Sequence, residues 1–242
     1  MLRNLLRVAG VLSLLISAPL TATFAADMPL KAPPLPAAAP YSWTGFYLGG
    51  QVGYGWGTSW QMGADGFGNT GDYHISGIVG GGTAGYNWQF NRNWVVGLET
   101  DFSAADVHGT GASSATYGCV GGCENKIEDF GTVRGRLGYA INNVLLYGTG
   151  GWAYGRAEAD IVGCPGGFCG TNNVNGWTVG GGVEYGFAPG WSAKAEYLHV
   201  DMGQFNFTTA AGCAATGGCV SPAKFDTVRL GVNYHFNWLW PH

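Results

Sequence analysis

The sequence predicts an all-β fold: eight antiparallel strands in up-and-down order, closed into a transmembrane barrel with short periplasmic turns and long outer loops. Three observations carry this. Charged residues make up 11% of the 242 and aromatics 14%, and 44 residues are glycine; an average soluble chain has about 25% charged residues and about 7% glycine. An alternation of apolar and polar side chains with period two recurs along the chain after Pro40, as a strand with two unlike faces requires. The connections between these stretches are short and long by turns, which is the loop pattern of an outer-membrane barrel. Few charges among many aromatics exclude a disordered chain. The glycines follow no three-residue period, which excludes collagen, and a net charge of −4 gives no footprint for nucleic acid.

The chain opens with Arg3 and Arg7, an apolar run from Val8 to Ala18, and small residues leading to Thr23-Phe24-Ala25. This reads as a secretory signal over residues 1–25, too short in its apolar run to anchor in a membrane. Residues 26–40 hold Pro29, Pro33, Pro34, Pro36 and Pro40 and read as an extended linker, because proline lacks an N–H and fixes φ. Residues 41–242 form the barrel domain.

Its first strand places Phe46, Leu48, Val52, Tyr54 and Trp56 on one face against Tyr47, Gly49, Gln51, Gly53 and Gly55. The second sets Ile78, Ala84, Tyr86, Trp88 and Phe90 against Thr83, Asn87 and Gln89, and the third Trp94, Val96, Leu98 and Phe102 against Glu99, Asp101 and Ser103. Val133, Leu137 and Tyr139 oppose Thr132, Arg134 and Arg136 in the fourth; Val144, Leu146, Trp152 and Tyr154 mark a weaker fifth. Trp177, Val179, Val183, Tyr185 and Phe187 oppose Thr178 and Glu184, and Trp191, Ala193, Ala195 and Tyr197 oppose Ser192, Lys194 and Glu196. The eighth sets Val228, Leu230, Val232, Tyr234 and Phe236 against Thr227, Arg229, Asn233 and His235. Short links fall at residues 91–93, 141–143 and 188–190, and long links near 57–76, 104–126, 157–172 and 202–224.

The charge-bearing face carries Glu99, Asp101, Arg134, Arg136, Glu184, Lys194, Glu196 and Arg229. Turned outward, these groups would make a soluble barrel with the Trp, Tyr and Phe face inside. An eight-strand interior has room only for modest side chains, so glycine and balanced charge suit the lumen and the aromatics suit lipid. Trp88, Phe90, Trp94, Tyr139, Phe187 and Trp191 gather at the short turns, the position of an interfacial aromatic girdle. Closure into a barrel satisfies every backbone polar group in lipid.

The stretches "AADMP", "WTGFYLGGQVGYGWG", "GTVRGRLGYA", "LLYGTGGWAYG", "GWTVGGGVEYGF", "WSAKAEYLHVD" and "VRLGVNYHF" make the chain similar to the small outer-membrane β-barrel proteins of rhizobia, Brucella and related alphaproteobacteria. The resemblance runs from Ala26 to Phe236. It implies an integral, porin-like protein of the Gram-negative outer membrane, a surface antigen or envelope component without a catalytic site or cofactor. Two features depart from the pattern: the chain continues past Phe236 through Trp238 and Trp240 to His242, and it has six cysteines.

Those cysteines form three close pairs, Cys119/Cys123, Cys164/Cys169 and Cys213/Cys219, each in one long loop. An even count in an exported chain reads as disulfides; the unequal spacings argue against a metal site. The lumen charges read as a salt-bridge network that fills the barrel, or as the lining of a narrow pore for ions or small solutes. Gly80–Gly85 matches G-x-G-x-x-G but lies inside a strand with no helix behind it, so it is no dinucleotide site. His74, His108, His199, His235 and His242 are scattered; His199 shares the parity of Tyr197 and faces lipid near the outer rim. The expected function is structural and surface-exposed, with membrane lipid, lipopolysaccharide and the barrel-insertion machinery as partners, and host or surface contacts through the outer loops.

Overall fold

The computed structural model describes residues 41–63, 69–112, 122–161, 171–207 and 219–236. The expected signal, the Pro-rich linker, Trp238, Trp240 and Cys119, Cys164, Cys169 and Cys213 lie outside them. Eight long strands carry the fold: β1 (Gly45–Ser59), β3 (Tyr73–Phe90), β4 (Trp94–Gly111), β5 (Cys123–Ile141), β6 (Val144–Ile161), β7 (Thr171–Ala188), β8 (Trp191–Phe207) and β9 (Cys219–His235). A two-residue strand, β2 (Met62–Gly63), pairs with the start of β9. Each long strand is antiparallel to its sequence neighbours, and β1 pairs with both β3 and β9: Tyr54 faces Ile78 on one side and Val228 on the other. The ring therefore closes on itself, and the sheet has no free edge to protect.

The three short turns lie at one end. Asn91 and Arg92 take φ of 48° and 65°, Asn142 takes 53° and Gly190 takes 76°. Such left-handed residues match the turn twist to that of the strands in tight hairpins. At this end Trp88, Trp94, Tyr139, Phe187 and Trp191 are exposed on the outside. A second belt, not picked out from sequence, lies nearer the other end: Tyr54, Trp56, Phe102, Trp152, Trp177 and Tyr197 are also exposed and outward. The belts are eight residues apart on β4 (Trp94, Phe102) and ten apart on β7 (Phe187, Trp177), close to the roughly 9–11 residues of a spanning strand. Between them the outer face is Leu48, Val52, Ile78, Leu98, Leu137, Leu146, Val179, Val183 and Leu230.

Two expectations need correction. The long links are much shorter than the sequence indicated, because the strands run on through residues 57–59, 73–76, 104–111, 123–126, 157–161, 171–172, 202–207 and 219–224. These extensions are rich in Gly, Ala and polar residues, so they lack the contrast between faces on which the alternation rests. Register also slips between Ala104 and Val107, between Ile127 and Asp129 and between Asp201 and Gln204, and a bulge reverses which parity faces inward. On β5 the inward set changes from Cys123, Asn125 and Ile127 to Phe130, Thr132, Arg134 and Arg136.

The second correction concerns what fills the barrel. The charges occupy only the half nearer the short turns. In the other half the inward face is apolar: Ile75, Val79, Val107, Ile127, Phe130, Leu198, Val200, Met202 and Phe225 form one buried cluster, with Phe130 edge-on to Phe225 at 5.0 Å between centroids. Above it a small polar cap joins Ser59, Gln61, Asn125 and Ser221, with Gln61 Nε2 donating to Asn125 Oδ1 at 2.7 Å. Below the charges, at the short-turn mouth, a third layer packs Trp43, Val95, Ala140, Leu145 and Tyr147 with Tyr41 against them. Along the described part the inward side chains are buried in layers of unlike polarity.

Candidate functional site

The middle layer brings all eight sequence-predicted charges together, each no more than 3% exposed. Register sets the first contacts: Glu99 is opposite Arg134, Glu184 opposite Lys194, and Glu196 opposite Arg229. Facing residues in a ladder stand close enough for opposite charges to pair. The geometry then departs from simple neighbour pairing. Lys194 reaches across the lumen, its Nζ donating to Glu99 Oε2 at 3.3 Å. Arg229 forks onto Asp101, with Nη1 to Oδ1 at 2.9 Å and Nη2 to Oδ2 at 3.4 Å, and its Nη2 also reaches Glu196 Oε2 at 2.5 Å.

Arg134 is the hub. Its Nη1 donates to Glu196 Oε1 at 3.0 Å, its Nη2 to Asp101 Oδ2 at 2.9 Å and to Glu99, and its Nε to Thr132 Oγ1 at 2.9 Å. Thr132 in turn donates to Asp101 Oδ2 at 2.5 Å. Arg136 donates from Nη2 to Glu184 Oε2 at 2.8 Å and from Nη1 to the Tyr47 hydroxyl at 2.8 Å, and its guanidinium lies 3.9 Å from the centre of the Tyr147 ring. Four carboxylates and four cations share the layer, so its formal charge cancels. Planar guanidinium forks suit such a buried site better than ammonium groups, because five fixed donors can satisfy several carboxylates together.

Sequence reasoning missed the uncharged members. Tyr47 donates to Glu99 Oε2 at 2.7 Å and Tyr147 to Glu196 Oε1 at 3.1 Å. Each ring lies over the glycine opposite it in the ladder: a Cβ on Gly85 would stand 2.4 Å from the Tyr47 Oη, and one on Gly182 would stand 2.7 Å from the Tyr147 Oη. The signal was available, since inward tyrosines facing glycines across a ladder form an aromatic-over-glycine pair. With Tyr147 counted, every long strand except β3 contributes to the network.

Ser192, His235 and Glu184 also meet here. Ser192 Oγ donates to Glu184 Oε1 at 2.5 Å, and His235 Nε2 lies 3.1 Å from Ser192 Oγ and 3.2 Å from Glu184 Oε1. A hydrolytic relay needs the carboxylate on one ring nitrogen and the serine on the other. Both contacts fall on one nitrogen, and Glu184 is already held by Arg136 and by Asn233 Nδ2 at 2.8 Å. The trio is a structural anchor for the network.

The other named residues take the following places. His199 is outward as its parity predicts, its Nδ1 2.7 Å from Asp226 Oδ1 and its ring 5.5 Å from Trp177; the Tyr197 hydroxyl donates to the same Asp226 oxygen at 2.6 Å. Gly80–Gly85 runs through β3 in register with β1 and β4. Cys123 and Cys219 are both buried and disulfide-bonded; the remaining cysteines lie outside the described residues, and so do the three predicted pairings.

A model of the outer membrane protein beta-barrel domain matches residues 30–236. The 31 kDa outer-membrane immunogenic protein of Brucella melitensis is 38% identical over 232 residues, which is 89% of this chain and 94% of that protein. The 22 kDa outer membrane protein of Rhizobium leguminosarum is 34% identical over 209 residues, 85% of this chain and 82% of that one. Among solved structures, the outer membrane protein OprG of Pseudomonas aeruginosa aligns with a TM-score of 0.49 at 14% identity, over 81% of this chain and 98% of that one.

Proposed function

Because this chain belongs to the outer membrane protein β-barrel domain family, we propose that it is a closed, non-conducting barrel that serves the envelope structurally and presents its long loops at the cell surface. The protein sits in the Gram-negative outer membrane, and relatives in Brucella are named outer-membrane immunogenic proteins. One observation carries the reading: three layers of different chemistry fill the lumen, and the central one holds its charges in direct contact across the barrel. An aqueous path would need those contacts parted and the apolar layer beyond them hydrated. Paired buried charges are costly to separate, and an eight-strand interior leaves little spare width.

The same reading makes the outer leaflet, including lipopolysaccharide, the protein's immediate partner at the second aromatic belt, and gives the insertion machinery its usual role in assembly. It assigns no catalysis, since the serine–histidine–glutamate contact lacks relay geometry. The test is single-channel recording of the refolded protein in a planar bilayer, with heat-induced gel shift as folding control. A silent, folded barrel is expected. A reproducible conductance that changes in Arg134→Ala or Glu184→Ala would instead make it a narrow porin.

A further inference from the structure

Trp43 stands outside every strand, two residues ahead of β1, yet its side chain is fully buried. It enters the short-turn mouth from the periplasmic side and meets Val95, Ala140 and Leu145. The Tyr41 ring lies 4.6 Å from it, and both rings meet His235, at 5.8 Å and 5.7 Å. The ladder does not hold this segment; side chains do, with Trp43 N–H donating to Gln89 Oε1 and Gln89 N–H donating to Thr44 Oγ1, each at 3.0 Å. The chain bends into the lumen at Gly45, whose φ of 136° is one that L side chains avoid.

The layer around the indole also leaves hydrogen-bonding capacity unused. Trp43 Nε1, both side-chain polar atoms of Asn87, Asn233 Oδ1 and His235 Nδ1 are buried without a protein partner. One layer up, Glu99, Asp101, Glu184 and Glu196 each accept several bonds. Burying polar groups without partners is costly, and water would satisfy all five atoms.

We propose that Tyr41–Trp43 is a withdrawable plug, which swings about Gly45 and opens a polar vestibule to the periplasm as far as the Arg136–Glu184 pair. The vestibule is lined by Asn87, Ser192, Asn233 and His235, a hydrogen-bonding surface for water and small polar solutes. The layers above it stay closed, so the plug moves without the barrel conducting.

Thiol labelling of the refolded full chain tests this. Asn87→Cys places a reporter in the vestibule and Ser103→Cys places one beyond the charges, with wild type as background for the native cysteines. A small water-soluble thiosulfonate should label Asn87→Cys while the gel shift reports a folded barrel. Adding Trp43→Ala should raise that rate on the order of 100-fold, as loss of a buried indole shifts the opening equilibrium. Ser103→Cys should stay unlabelled in both backgrounds. No labelling at position 87, equal rates with and without Trp43→Ala, or equally fast labelling at 103 would each overturn the proposal. Should Asn87→Cys fail to fold, hydrogen exchange over residues 87–90 replaces it. Protection there falls in Trp43→Ala if the plug guards the mouth, and unchanged protection overturns the idea.

Discussion

Arg134 shows what a single side chain does in this lumen. It touches Glu99, Asp101 and Glu196 with no solvent at either end of any contact. Arg134→Ala leaves three carboxylates short of a cation, and removing one partner of a buried pair typically costs about 3–5 kcal/mol. Denaturant unfolding of the refolded barrel should lose that amount, and Arg134→Lys should recover only part of it, because an ammonium cannot fork. A loss near zero would mean that the layer is already wet. Arg156 offers the contrast: it pairs with Asp129 on the outer surface, with its side chain 54% exposed, so Arg156→Ala should leave the unfolding midpoint nearly unchanged. The charges themselves were legible in the sequence because parity alone assigns them to one face. Tyr47, Tyr147 and Trp43 were less so. An aromatic on the charged parity looks out of place until the glycine across the ladder, or the open mouth of the barrel, supplies its space.

At the level of strands, glycine is used in two distinct ways. Inward Gly182 makes the hollow for Tyr147, and a Cβ there would also stand 2.5 Å from the Ala195 carbonyl oxygen. Outward Gly148 has room, since a Cβ would meet only the Gly180 carbonyl oxygen, at 3.9 Å. Gly182→Val should therefore displace the phenol from Glu196 and cost about 1–3 kcal/mol as overpacking does, while Gly148→Val should fold with stability close to wild type. Equal effects in the unfolding curves would refute the distinction. The core of every strand could be read from sequence, and the strand ends could not. Alternation is a contrast between two solvents, lipid outside and a polar lumen inside; beyond the outer belt the inward face is the apolar cluster and the outward face is polar, so the pattern inverts and small residues blunt it. The bulge at Ile127/Asp129 then shifts the parity on β5, so Ile127 turns inward where a strict count back from Arg134 would turn it out.

For the molecule as a whole, the apolar outer band is what fixes it in the bilayer. Leu98 lies midway between the belts and is 68% exposed. Leu98→Arg should cost about 2–4 kcal/mol when unfolding is measured from lipid vesicles, and much less in a detergent micelle, where the charge reaches water. The closed barrel was the most legible feature of all, because alternating strands can satisfy their backbone in lipid only by closing into a ring. The layering of the lumen was not legible: Leu198 and Val200 share their parity with Lys194 and Glu196, and only depth separates them. The network also constrains how the protein is made. Arg229 and Asp101 are 128 positions apart in the chain, and Lys194 and Glu99 are 95 apart. Hairpin β4–β5 cancels its own lumen charges, but strands β1 to β8 together keep one unbalanced carboxylate until β9 brings Arg229, so an unclosed sheet would carry a bare ion into the membrane. Assembly must then be concerted: β9 arrives beside β1 as the last charges find their counterparts, and the step that seals the ring is also the step that neutralises it.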